Sequence, residues 1–152
     1  VGGGFEQCDA SGRCELIDYA KNFDGWSTWV AGWYTPIKEP PTENYTRFLE
    51  EGYSVWNRLA KKYNRQFIPS IVPGYINVRK PKDPVLPRST TMFEKIVEIA
   101  LEYANSVDNK ILIRIDTFNE FSEGTVVEPV VEENSIYLCS LFKILKKYLE
   151  KP

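Results

Sequence analysis

The stretch Ile111-Leu112-Ile113-Arg114-Ile115-Asp116-Thr117-Phe118-Asn119-Glu120-Phe121-Ser122-Glu123-Gly124 changes character halfway along. Ile111 to Ile115 is rich in apolar, β-branched residues and reads as a strand. The segment that follows is polar, with carboxylates at Asp116, Glu120 and Glu123 and another at Glu128, just before Pro129. Two more β-rich runs, Gly25 to Val30 and Phe67 to Val72, are each followed by a loop and then by a helical pattern. The helical faces are Tyr45, Phe48, Leu49, Val55, Trp56, Leu59, Ala60 and Tyr63; then Phe93, Ile96, Val97, Ala100, Leu101 and Ala104; then Tyr137, Leu141, Ile144, Leu145 and Tyr148. Thr91 and Glu94 have the spacing of a capping box at the start of the second face. Strands alternating with helices predict an α/β fold with a parallel sheet, its strands covered on both faces.

In such folds functional residues collect at the carboxyl ends of the strands. The loops at those ends are long and rich in Pro and aromatic residues, whereas the returns Tyr63 to Gln66 and Val107 to Lys110 are short and polar. A regular strand would point Glu120 and Glu123 to opposite faces. A turn after Asn119, eased by Gly124, would bring both to one pocket. Two carboxylates in one pocket can divide into a neutral acid and an ionised base, the requirement of glycosidic bond cleavage. A solvated acidic loop is the plainer reading of the same residues.

Composition narrows the chemistry. The chain of 152 residues has 19 Lys+Arg, 21 Asp+Glu and no His, for a formal net charge of −2. That balance gives no basic footprint for nucleic acid or an anionic membrane. The absence of His removes the Ser-His-Asp triad, the Cys-His pair and imidazole zinc sites. No metal or other cofactor is called for, and no run of about 18 apolar residues indicates a membrane span. Aromatic residues make up 14% of the chain, suited to flat ring-shaped ligands as well as to a core. Cys8 and Cys14 are compatible with a local disulfide or with two reduced thiols, so the compartment stays open.

Asn119-Glu120-Phe121-Ser122-Glu123-Gly124-Thr125, with Glu128-Pro129 after it, resembles the Asn-Glu-Trp-His-Glu-Gly-Thr…Glu-Pro signature of family 99 glycoside hydrolases, the endo-α-mannosidase family. It is also similar to the related signature of WbsX-like proteins of polysaccharide biosynthesis. Phe23-Asp24-Gly25-Trp26 and Phe67-Ile68-Pro69-Ser70-Ile71-Val72-Pro73-Gly74-Tyr75 resemble two further family segments in the same order, and Arg88 falls where that family carries Arg residues. The resemblance runs from about residue 20 to 130. Phe121 and Ser122 stand in place of the family's Trp and His, and Ile76-Asn77 in place of Asp-Asp.

The resemblance implies a (β/α)8 barrel of the TIM type that cleaves α-mannosidic bonds within a chain, with retention and without a metal. Glu120 would be the base that draws a proton from the substrate 2-hydroxyl, giving a 1,2-anhydro sugar. Glu123 would be the acid that protonates the leaving oxygen and then activates water. Since such barrels need about 250 residues, residues 1–152 are expected to form one α/β domain that is the C-terminal part of a barrel, about four βα units. The opening Val1-Gly2-Gly3-Gly4, with no initiator Met, fits a start inside a longer chain. Val1 to Glu6 is then the tail of another strand, and Cys14 to Asn22 a short helix. The remaining N-terminal barrel units, or another chain, would cover the open sheet.

The expected partner is an oligosaccharide or polysaccharide. Trp29, Trp33 and Tyr34 either stack on sugar or pack in the core. Tyr75 binds sugar or Glu123, or packs. Asn119 contacts a hydroxyl or holds the turn, and Glu128 touches substrate or supports the site. Arg88, a candidate substrate-binding residue, and Arg79 pair with carboxylates or sugar hydroxyls or are solvated. The competing functions are a WbsX-like glycosyl transferase and a glycan-binding module without turnover.

Overall fold

The computed structural model describes residues 21–28, 41–82, 85–107, 110–131 and 134–150, with backbone alone for 41–44. It contains β1 (Gly25–Ser27), α1 (Pro41–Tyr63), β2 (Gln66–Ile68), β3 (Ser70–Ile71), α2 (Thr90–Tyr103), β4 (Arg114–Ile115), a 3-10 turn (Phe121–Glu123) and α3 (Ile136–Leu149). Among the described residues the named strands pair in parallel. β1 pairs with β2 in the register Trp26 to Phe67, and β3 pairs with β4 in the register Ile71 to Ile115. Pro69 separates β2 from β3 and has no N–H to give to a ladder, and the chain changes partner there. The alternating order of strand and helix is that of an α/β fold. The expected strand tail Val1 to Glu6 and all of the expected helix Cys14 to Asn22 except Lys21 and Asn22, which form a turn, lie outside the described residues, as do Cys8, Trp29, Trp33 and Tyr34.

Helix α1 begins with Pro41, whose missing N–H costs nothing at a first helical position. Its inner face buries Tyr45, Leu49, Tyr53, Trp56 and Ala60, the spacing of an amphipathic helix. It stops at Asn64, which adopts φ 52°, so that the Arg65 N–H reaches back to the Ala60 carbonyl at 2.8 Å. Phe67 enters the space below the helix with no exposure, stacked on Trp56 at 6.3 Å and edge-on to Tyr53 at 5.4 Å. Trp26 packs on the same cluster, 6.4 Å from Trp56.

Helix α2 corrects the expected cap. Ser89 is the N-cap, extended at φ −154°, and its hydroxyl accepts from the Met92 N–H at 3.4 Å. Thr91 therefore lies inside the helix, because the residue that caps must itself be non-helical. Glu94 instead meets Lys143 of α3 at 3.1 Å, and Glu98 meets Lys147 at 3.4 Å. These exposed pairs are worth about 0–1 kcal/mol each. The union of α2 and α3 rests on apolar burial, with Phe93 edge-on to Tyr137 at 5.6 Å.

The run Ile111 to Ile115 is less covered than its composition suggests. Only Arg114 and Ile115 pair as strand, and Ile111 and Leu112 are 39% and 45% exposed. Among the described residues β3 is the only strand beside β4, which leaves one edge of β4 open. No helix among the described residues is long and apolar enough to cross a membrane.

Candidate active site at the end of β4

The chain leaves β4 through Asp116, which is 1% exposed and accepts from Arg114 Nε at 2.6 Å. Arg114 also donates to the Thr28 carbonyl at 2.6 Å, tying the exit of β4 to the exit of β1. Asp116 is thus a buried, paired carboxylate. The chain then turns in the 3-10 helix at Phe121–Glu123, entered at Glu120 and left at Gly124. Gly124 takes φ 61°, a conformation that disfavours any side chain, and a Cβ there would meet Ile76 Cγ2 at 3.3 Å.

Two threonines close the base of the turn. Thr117 Oγ1 accepts from the Glu120 N–H at 3.0 Å and lies 2.8 Å from Thr125 Oγ1. The Thr125 N–H donates to the Glu120 carbonyl at 3.3 Å, and the Val127 and Glu128 N–H groups both donate to the Phe118 carbonyl. The loop after β3 braces the turn from the side. Ile76 N–H donates to the Glu123 carbonyl at 2.8 Å, and Val78 N–H donates to the Ser122 carbonyl at 3.1 Å.

Glu120 caps the turn with its own carboxylate. Oε1 accepts from the Ser122 N–H at 3.0 Å and from the Ser122 hydroxyl at 2.5 Å. These two bonds hold the Glu120 carboxyl below its ordinary value, the hydroxyl contributing most and the Arg79 charge adding a smaller pull. Charge-assisted bonds of this kind are among the stronger ones. Glu123 lies three residues on, with its side chain partly exposed and its backbone carbonyl held by Ile76.

The other residues singled out by sequence are distributed around this turn. Tyr75 is buried at 6% exposure, and its hydroxyl accepts from Asn77 Nδ2 at 3.1 Å. Arg88 donates to the Gly124 carbonyl at 2.5 Å and to the Val126 carbonyl at 3.0 Å. Asn119 is exposed beside Glu120, and Glu128 is partly exposed at the far end of the loop. A cleft of about 210 Å³ lies next to the turn, lined by Ile76, Asn77, Val78, Lys80, Pro81 and Val85. Sequence reasoning did not single out Thr117, Thr125 or the Ser122 contact to Glu120. Their hydroxyls follow the turn geometry, and the Thr in the Gly-Thr step was the one visible signal. Among the described residues no group of three His, Cys, Asp or Glu is placed to hold a metal.

Parallel strands joined by helices, with an acidic turn at the carboxyl end of a strand, define the class of α/β folds to which barrel glycosidases belong. No protein-family model matches the sequence. The glycoprotein endo-α-1,2-mannosidase of Rattus norvegicus is 35% identical over 127 residues, covering 70% of this chain and 27% of the relative. The Mus musculus protein of the same name is 36% identical over 107 residues, covering 62% of this chain and 23% of the relative. A solved family 99 endo-α-mannosidase from Bacteroides thetaiotaomicron superposes with TM-score 0.62 at 23% identity, covering 84% of this chain and 41% of that one. The chain is thus similar in sequence to endo-α-1,2-mannosidases and similar in fold to a solved endo-α-mannosidase of glycoside hydrolase family 99. It spans about a quarter of the length of the curated relatives it matches.

Proposed function

We propose that the chain is the C-terminal part of a (β/α)8 barrel, about four βα units, in a retaining, endo-acting glycoside hydrolase for α-mannosides or related glycans. The turn with Glu120 at its entry and Glu123 at its end, at the carboxyl end of β4, is the observation that carries this reading. Ionised Glu120 takes the proton of the substrate 2-hydroxyl as that oxygen bonds to the anomeric carbon. Glu123 gives its proton to the departing glycosidic oxygen, and a 1,2-anhydro sugar results. In the second half Glu123 takes a proton from the water that attacks the anomeric carbon. The ring opens, and the proton on Glu120 returns to the 2-oxygen, so the configuration is retained overall.

The hydrogen bonds from Ser122 support the role of Glu120, since a base must be ionised when substrate arrives. Asn119, Tyr75 and Glu128 join Trp29, Trp33 and Tyr34 in contacting the glycan. The remaining barrel units, or another chain, cover the open edge of β4, and the 152 residues fold within that larger domain.

Incubation of the full-length protein with an α-1,2-linked mannan or a glucosylated mannose glycan releases oligosaccharide with retained configuration, read by NMR of the first-formed anomer. Turnover of a nucleotide sugar without hydrolysis would replace this reading with transfer, and binding without turnover would replace it with a glycan-binding module. The Ser122→Ala variant gives a pH test. It removes the hydroxyl donor, so the lowered Glu120 pKa rises toward its ordinary value. The acid limb of kcat/KM moves to higher pH, and activity fails earlier as the pH falls. An unmoved acid limb would contradict the assignment of Glu120 as the base.

A further inference from the structure

We propose that Arg88 is a positioning residue that sets both carboxylates of the site by clamping the backbone after the turn; the inference rests on the glycosidase reading above. Its guanidinium donates through one terminal nitrogen to the Gly124 carbonyl at 2.5 Å and through the other to the Val126 carbonyl at 3.0 Å. Those two carbonyls flank Thr125, which has no exposure. Thr125 in turn meets Thr117 Oγ1 at 2.8 Å and donates through its N–H to the Glu120 carbonyl at 3.3 Å. Gly124 directly follows Glu123 and donates to Phe121 at 3.2 Å. One side chain therefore holds the backbone that positions Glu123 on one side and Glu120 on the other.

The surroundings of Arg88 fix the clamp from two further directions. Its guanidinium carbon lies 4.3 Å from the centroid of the Tyr137 ring, which is 5% exposed on α3. Cation and ring attract at that distance, an interaction that uses the face of the ring and leaves the N–H donors to the two carbonyls. Gly74 leaves space for the stem of Arg88. A Cβ at position 74 would come within 2.6 Å of Arg88 Cγ and 3.0 Å of its Cα. The next residue, Ser89, caps α2, so Arg88 is anchored to a helix start as well. A lysine ammonium is a single point of charge and cannot reproduce a flat fork that bridges two carbonyls.

The test compares Arg88→Ala, Arg88→Lys and Tyr137→Leu in the full-length protein, with circular dichroism and thermal melting as checks on folding. Displacement of catalytic groups by about 1 Å costs about 10²-fold. Arg88→Ala accordingly lowers kcat by about 10²-fold with KM changed far less. Added guanidinium or methylguanidinium restores part of kcat to Arg88→Ala, and Arg88→Lys stays impaired. Tyr137→Leu, which keeps an apolar side chain but removes the ring, lowers kcat in the same sense by a smaller factor.

Hydrogen exchange supplies a readout independent of turnover. Arg88→Ala speeds exchange at the amides of residues 120–128 while leaving α1 unchanged. An Arg88→Ala protein with wild-type kcat, a loss confined to KM, or a folded variant with unaltered exchange in that loop would each overturn the clamp. If Arg88→Ala does not fold, unaltered kcat and loop exchange in Tyr137→Leu overturn it equally. A wild-type protein that releases no oligosaccharide, yet shows the exchange response to Arg88→Ala, would overturn the glycosidase reading and leave the clamp standing.

Discussion

Replacement of Glu123 by Gln lowers kcat on a natural glycan by about 10²–10⁴-fold, the range lost when a positioned general acid–base group is removed. The amide keeps the size of the side chain but has no proton to give to a departing sugar oxygen. Folding is spared for a reason visible in the structure: what Glu123 contributes to the brace is its backbone carbonyl, bound by the Ile76 N–H at 2.8 Å. Stability of Glu123→Gln should therefore fall within about 0.5 kcal/mol of the parent, as for other surface changes. Glycan affinity persists, measurable by calorimetry because turnover is so slow. The loss shrinks on an aryl mannoside whose leaving group departs without protonation. Equal losses on both substrates, or full activity on the natural glycan, would remove Glu123 from the acid role.

The largest expected effect on stability lies at Phe67. Its ring has no exposure and is enclosed by Trp56 at 6.3 Å and Tyr53 at 5.4 Å. Both neighbours sit on α1, while Phe67 is fixed by its pairing with Trp26 in β1. Neither layer can close the gap without breaking strand pairing or tilting a long helix. Phe67→Ala therefore costs about 3–5 kcal/mol, the transfer loss plus the cavity. Urea unfolding of the full-length protein should show a lower midpoint with an unchanged slope. Phe67→Leu, which refills most of the volume, should cost about 1.5 kcal/mol or less. A Phe67→Ala midpoint equal to that of the parent would mean that this cluster is not part of the cooperative core.

The helices were legible because their apolar residues repeat every three or four positions, and Leu49, Trp56, Ile96, Val97, Leu141 and Ile144 are all buried as that repeat requires. Helix starts were less so. Ser89 and Thr91 are both hydroxyl residues near the boundary, and only the backbone angle of Ser89 decides between them. Ile111 and Leu112 misled for a different reason, since an apolar side chain is buried only if something lies across from it. At the site, the acidic residues and the turn-permitting Gly124 were readable from residue type alone. The partners of Arg88 were not. It binds the carbonyls of Gly124 and Val126, and a main-chain carbonyl has no signature in an amino-acid sequence.

The two backbone bonds that join the loop after β3 to the acidic turn have a consequence for how this loop can vary. Ile76 and Val78 reach Glu123 and Ser122 through their N–H groups, so any amino acid but proline can occupy those positions and still brace the turn. Side-chain identity there is free to drift without loss of either bond. Spacing is not free. One residue inserted between Tyr75 and Ile76 would shift the register of both bonds against the turn, whereas added length beyond Lys80 would leave them untouched. Diversification of the loop is thereby channelled into substitutions near the turn and into insertions farther out.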